Sequence, residues 1–184
     1  MTIRRRTQLL FSALLAMGTL LVAGLPTESQ SQAPEVHVHA KSAPSTVLTV
    51  TGLDGKTATY SVADLKALTH KSITVYNEHA KANETYSGVP LTDLLAKANV
   101  PAGPALRGKL FLLYVLAEGT DHYRVLYSLD ETDPVNHAGD VIVADSLNGS
   151  PLTEDGAFKL VSSEDKRPAR WVRNLTTVTV KSAE

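Results

Sequence analysis

From residue 45 onward the chain is interrupted every few residues by glycine, asparagine, aspartate or proline, and the pieces between read mostly as strands. Val47, Leu48, Thr49 and Val50 have the β-branched content of a strand. Gly52, Asp54 and Gly55 supply a turn, and 57–60 returns as the second arm of a hairpin. Further strands are expected at 72–76, 110–117, 122–128, 140–144, 157–161 and 176–180. Two short helices break the series. Ser61 caps the first, Asp64 reaches back to it as a capping box, and Val62, Leu65 and Leu68 form its buried stripe. The second follows Gly88, Val89, Pro90 and Leu91, with Thr92 as its cap and Leu94, Leu95 and Ala98 facing inward; Pro101 and Pro104 stop it. No internal repeat is present. The expected class is α+β, a mixed and mostly β domain with short helices.

The first residues read as an address. Arg4, Arg5 and Arg6 precede an apolar run over 9–22, and Val22, Ala23 and Gly24 form a small-residue exit, as in a secretory signal peptide. A second exit at Ser31, Gln32 and Ala33 is followed by Pro34, so Gly24 is the better site. The apolar run is short for a membrane span. The arginines resemble a twin-arginine signal, although Thr7 and Gln8 and the strongly apolar core suit the general secretory route better. The expected organisation is a signal peptide over 1–24, a disordered linker over 25–44 rich in Ser, Gln, Ala and Pro, and one domain over 45–184. The expected location is periplasmic or secreted, with the membrane met only transiently through the signal peptide.

There is no cysteine. An exported chain without one has no disulfide, so core packing must hold it, and thiolate chemistry is excluded. The 18 Lys+Arg oppose 19 Asp+Glu; without the three signal arginines the balance is 15 against 19, a net charge near −4. Such a surface has no electrostatic footprint for nucleic acid. Neither G-x-S-x-G, H-E-x-x-H nor a phosphate-binding glycine loop occurs. Asp130, Glu131, Thr132, Asp133 and Pro134 read as a solvated acidic turn rather than a calcium loop. His37 and His39 form an H-x-H pair in the linker, incidental to function, and no metal ligands are assigned.

Four stretches, in order, resemble the oxidoreductase molybdopterin-binding domain family of the sulfite oxidase type. They are Tyr60 to Leu68 as its "x-dLkaL" helix, Tyr86 to Leu95 as "y-x-GvpL-x-dLL", Ala117 to Tyr123 as its "a-x-DGY" turn, and Gly149, Pro151, Leu152, Gly156 to Val161 and Trp171 to Leu175 as its closing segment. The resemblance covers 45–181 and implies the sulfite-oxidase-type molybdopterin-binding fold. It also implies a molybdenum held by the pterin dithiolene and one cysteine before the "GvpL" segment. That position falls here at Tyr76 or Asn77, poor substitutes for a soft thiolate. We therefore expect no conventional molybdenum centre, while the resemblance still admits a molybdopterin.

The resemblance implies that three places converge on a cleft: Tyr76, Asn77, Glu78 and His79 before the "GvpL" segment, Asp121, His122 and Tyr123 in the turn, and Arg167 and Arg170 before the last strand. His122 stands where the family shows glycine. Imidazoles, carboxylates and guanidinium forks suit a small oxyanion or a divalent metal. The leading expectation is an exported protein that uses the former cofactor cleft for a small anionic ligand or an envelope partner. Its rivals are a cysteine-free molybdopterin oxidoreductase and a structural module of the envelope. No catalytic residue is assigned.

Overall fold

The computed structural model describes residues 43–78 and 80–184. The expected signal peptide, most of the expected linker, His37, His39 and the site candidate His79 lie outside the described residues. The expected hairpin is present as β1 (Val47–Thr51) and β2 (Thr57–Ser61). Gly52 has no room for a side chain, because a Cβ there would lie 2.0 Å from the Ala98 carbonyl oxygen. The hairpin turn therefore packs directly on the end of the second helix. Helix α1 (Val62–Lys66) starts as expected: Ser61 Oγ accepts from Asp64 N at 3.2 Å, and Asp64 Oδ2 accepts from Ser61 N at 2.8 Å. Both arms of the capping box are made.

Five sequence expectations are corrected. Helix α2 (Leu91–Lys97) begins at Leu91, with Pro90 rather than Thr92 at its N-cap position and no side-chain cap. Pro90 has no N–H to satisfy and its ring presets the entry angle, so the helix starts there without a hydroxyl. Between β3 (Lys71–Asn77) and α2 runs a full strand, β4 (Ala82–Pro90), where the polar sequence reads as a loop. It is a strand because it is hydrogen-bonded on both edges, Ile73 opposite Tyr86 on one side and Val143 opposite Val89 on the other. Strand β5 (Leu113–Gly119) begins later than expected, after the 3-10 turn Gly108–Leu112. Strand β6 (Arg124–Ser128) also begins late, because His122 has φ +63° and ends the turn before it. The acidic run 130–134 is solvated only in part. Thr132 and Asp133 are 2% and 3% exposed, and Asp133 accepts from the backbone of Gly103 and, at 2.9 Å, of Val135.

The remaining strands are β7 (Val141–Leu147), β8 (Ser150–Pro151), β9 (Lys159–Ser162) and β10 (Leu175–Ser182). Sheet A has the order β2-β1-β10-β5-β6, with β1 parallel to β10 and the other pairs antiparallel. Sheet B has the order β3-β4-β7-β8, and β9 also pairs with β7. Alternate residues of sheet A, among them Leu48, Val50, Val115, Ala117 and Val178, meet Val89, Val143 and Leu160 of sheet B and Leu65, Leu91, Leu94 and Leu95 of the helices in one core. Ile73, Val75, Tyr86, Ile142, Ala144, Val161 and Trp171 form a second cluster. The run of buried apolar residues Val141 to Ala144 at the start of β7 follows from this, since a strand covered on both faces has no solvent-facing side.

Candidate functional site

The residues expected to line the cleft sit in three places. Tyr76 lies on β3 and is 52% exposed. Asn77 ends that strand, its Nδ2 donating to Glu84 Oε1 at 2.7 Å and its Oδ1 accepting from Ala80 N at 3.1 Å. The turn after β5 is closed by Tyr123 N donating to Asp121 Oδ1 at 3.0 Å, and His122 is exposed with Nδ1 2.8 Å from Glu118 Oε1. Its positive φ explains a glycine at this point of the signature, because only glycine adopts that backbone freely. Tyr123 Oη donates to the Ala169 carbonyl, which brings the turn onto the 3-10 segment Pro168–Arg170. Arg167 is exposed just before that segment.

Arg170 is already engaged. Its Nη2 and Nε lie 2.6 and 3.1 Å from Asp165 Oδ1, its Nη1 lies 3.1 Å from Glu131 Oε1, and its guanidinium stacks 4.3 Å from the Tyr127 ring centre. These bonds, Asp165 first, raise its pKa further above the ordinary arginine value. Burial pushes the Tyr127 phenol up as well, and its Oη donates to the Arg170 carbonyl at 2.9 Å.

A second set of residues, missed in the sequence reading, carries the more unusual chemistry. Lys159 is a buried cation in β9, 8% exposed, opposite the small Ala144 of β7. Its Nζ donates to Asp155 Oδ2 at 2.8 Å and to Tyr86 Oη at 3.0 Å, and lies 4.8 and 5.5 Å from the ring centres of Tyr86 and Trp171. Burial, and then the Glu84 carboxylate, push the Tyr86 phenol far above its ordinary value. It therefore keeps its proton, donates to Glu84 Oε2 at 2.8 Å and accepts from Lys159. The chain of bonds Asn77–Glu84–Tyr86–Lys159–Asp155 thus links one expected residue to the unexpected ones.

Counting donors shows what this cluster lacks. An ammonium has three N–H groups and an indole one. Two of the Lys159 hydrogens have partners, and Trp171 Nε1 is buried with no acceptor. Two donors are left over, one on a cation, so the cluster is short of an acceptor. The signal in the sequence is the lysine inside the apolar run Phe158, Lys159, Leu160, Val161 and the single tryptophan twelve positions on.

The residues present do not fit a thiolate-ligated molybdenum centre. No thiolate ligand exists in the chain, the Asn77 carboxamide is bonded through both its atoms, and Tyr76 sits on the exposed side of β3. Among the described residues no group of three or more histidine, aspartate or glutamate side chains is placed to hold a metal.

The sequence profile described as "oxidoreductase molybdopterin binding domain" matches residues 35–184. The sulfane dehydrogenase SoxCD from Paracoccus pantotrophus has a similar solved structure, at 19% identity and a TM-score of 0.57 over 92% of this chain. The chain spans 57% of that protein's chain. No curated protein matches. The two-sheet architecture is that of the sulfite-oxidase-type molybdopterin-binding fold.

Proposed function

The chain belongs to the oxidoreductase molybdopterin-binding domain family, and from that premise we propose that it is an exported binding protein rather than a conventional molybdenum enzyme. Its ligand is a small oxyanion, held on the second face of sheet B by Lys159 and Trp171. One observation carries this reading: Trp171 Nε1 is a buried donor without an acceptor, beside a buried ammonium with one hydrogen to spare. A buried unpaired donor costs free energy that a bound acceptor returns. Asp155 and Glu84 are the partly exposed members of the cluster. Arg170 is not assigned to the ligand, since its guanidinium is shared between two carboxylates, Asp165 and Glu131, whereas Lys159 pairs with one, Asp155. The arginine-rich start and apolar run over 9–22 support export to the periplasm or medium.

The only tryptophan of the chain reports on this site. Titration with sulfate, phosphate and formate is expected to change Trp171 emission saturably. Lys159→Met should abolish the response and Lys159→Arg should keep part of it. Absence of any saturable change, or an undiminished response in Lys159→Met, would leave a structural envelope module as the better reading. Near-stoichiometric molybdenum and pterin in protein purified from the envelope of a host that makes molybdopterin would instead establish a cysteine-free oxidoreductase.

A further inference from the structure

We propose that an open cavity outside the Lys159 cluster binds a small amphipathic cation, its apolar body against the cavity walls and its ammonium group on Asp54. The cavity measures about 300 Å³ and opens where the β1–β2 turn meets the end of α2, β5 and β10. Its walls are Leu53, Val100, Pro101, Leu110, Leu113 and Val180, and its polar end is Asp54 with Asn99. At about 30 Å³ per atom, the share of a water molecule, it accommodates a body of about ten non-hydrogen atoms. Leu53 in its wall is 55% exposed, and Phe111 and Leu112, which lie between the wall residues Leu110 and Leu113 in sequence, are 50% and 44% exposed.

The polar end is built before any ligand arrives. Asp54 Oδ1 accepts from Lys56 N at 2.9 Å, Asp54 Oδ2 from Asn99 Nδ2 at 3.2 Å, and Lys56 Nζ is drawn onto Asn99 Oδ1 at 2.8 Å. The lysine is thus held by the amide and forms no ion pair with the carboxylate. Gly52 against Ala98 and the left-handed Asn99, φ +59°, fix the turn and the helix end relative to each other. The Lys56 N–H, and then the Asn99 amide, hold the Asp54 carboxyl below its usual range, so it is ionised at neutral pH. Each of its oxygens has accepted one hydrogen bond and retains a lone pair. An ionised acceptor at the end of an apolar cavity selects a cation with a hydrocarbon body over a neutral or anionic molecule of the same length.

Isothermal titration of the purified protein with butyl-, pentyl- and hexylammonium tests this. Affinity is expected to rise about fourfold per methylene, as for transfer of a CH₂ out of water. Hexylammonium should bind about fivefold tighter than hexanol, as for an exposed ion pair, and hexanoate should bind most weakly. Asp54→Asn, which keeps an acceptor for Lys56 N, should remove the preference over hexanol and leave the chain-length dependence. Leu53→Gln, at the exposed lip, should weaken all of them. No saturable heat, hexanoate binding as tightly as hexylammonium, or a preference that survives Asp54→Asn would each overturn the assignment.

Discussion

His70 lies between two groups that can only accept. Its Nδ1 is 2.8 Å from the Leu68 carbonyl oxygen and its Nε2 is 3.1 Å from Asp145 Oδ2, and Asp145 is 6% exposed. Both bonds are complete only when both nitrogens carry hydrogen, so the geometry favours the imidazolium. Burial opposes that charge, but the Leu68 carbonyl and then the Asp145 carboxylate outweigh it and raise the pKa above 6.5. A raised folded-state value means that the stabilisation is complete below the unfolded value, about 6.5, and is lost as pH rises through the folded one. His70→Gln should therefore cost about 2 kcal/mol near pH 6 and clearly less near pH 9, read from urea unfolding of both proteins. An equal difference at the two values would exclude the ion pair. None of this was legible in the sequence, because Asp145 lies on a strand distant in the chain. Lys159 was hidden for a related reason: one lysine in a four-residue apolar run is unremarkable until pairing with β7 buries it.

Helix starts separate what the sequence determines locally from what tertiary structure decides. The capping box of α1 involves four consecutive residues and was read correctly. Ser61→Ala should lower stability by about 1 kcal/mol, seen as a drop in Tm. Thr92→Ala, at the cap expected for α2, should change stability by less than about 0.5 kcal/mol, because that helix begins at Pro90 and Leu91. Equal losses in the two variants would restore Thr92 as a cap. Strands followed the same division. The β1–β2 hairpin has its turn residues within the segment, and both arms were found. Strand β4 has Asn83, Glu84, Thr85 and Ser87 where a strand pattern calls for apolar alternation, and only its neighbours on both edges make it a strand. Gly88 belongs to the same context, since a Cβ there would lie 2.1 Å from the Val143 carbonyl oxygen. The glycine of the "GvpL" signature thus serves strand pairing, whether or not a cofactor is ever bound.

At the scale of the whole molecule, the segment from Pro168 to Leu175 joins parts that the sheets alone would leave separate. Trp171 packs on the second cluster of sheet B, Leu160 N donates to the Val172 carbonyl, Thr120 N to the Asn174 carbonyl and Tyr127 Oη to the Arg170 carbonyl. With no disulfide in the chain, these contacts and the core must carry cohesion. Arg170 is the centre of this arrangement, tying Asp165 and Glu131 together across the Tyr127 ring. The family resemblance singled it out as a guanidinium fork at the cleft, but could not reveal that its partners belong to the same chain. Two roles make opposite predictions. An arginine reserved for a ligand contributes little to the unliganded fold, whereas one that pairs internal carboxylates leaves Asp165, 9% exposed at its side chain, uncompensated when removed. The geometry supports the second role. Arg170→Ala should lower the unfolding free energy by about 2 kcal/mol, and Arg170→Lys, which keeps the charge but not the fork, by about 1 kcal/mol. In urea this should appear as a lower midpoint at unchanged slope. An Arg170→Ala protein as stable as the parent would release the guanidinium from its structural role and return it to the ligand cleft.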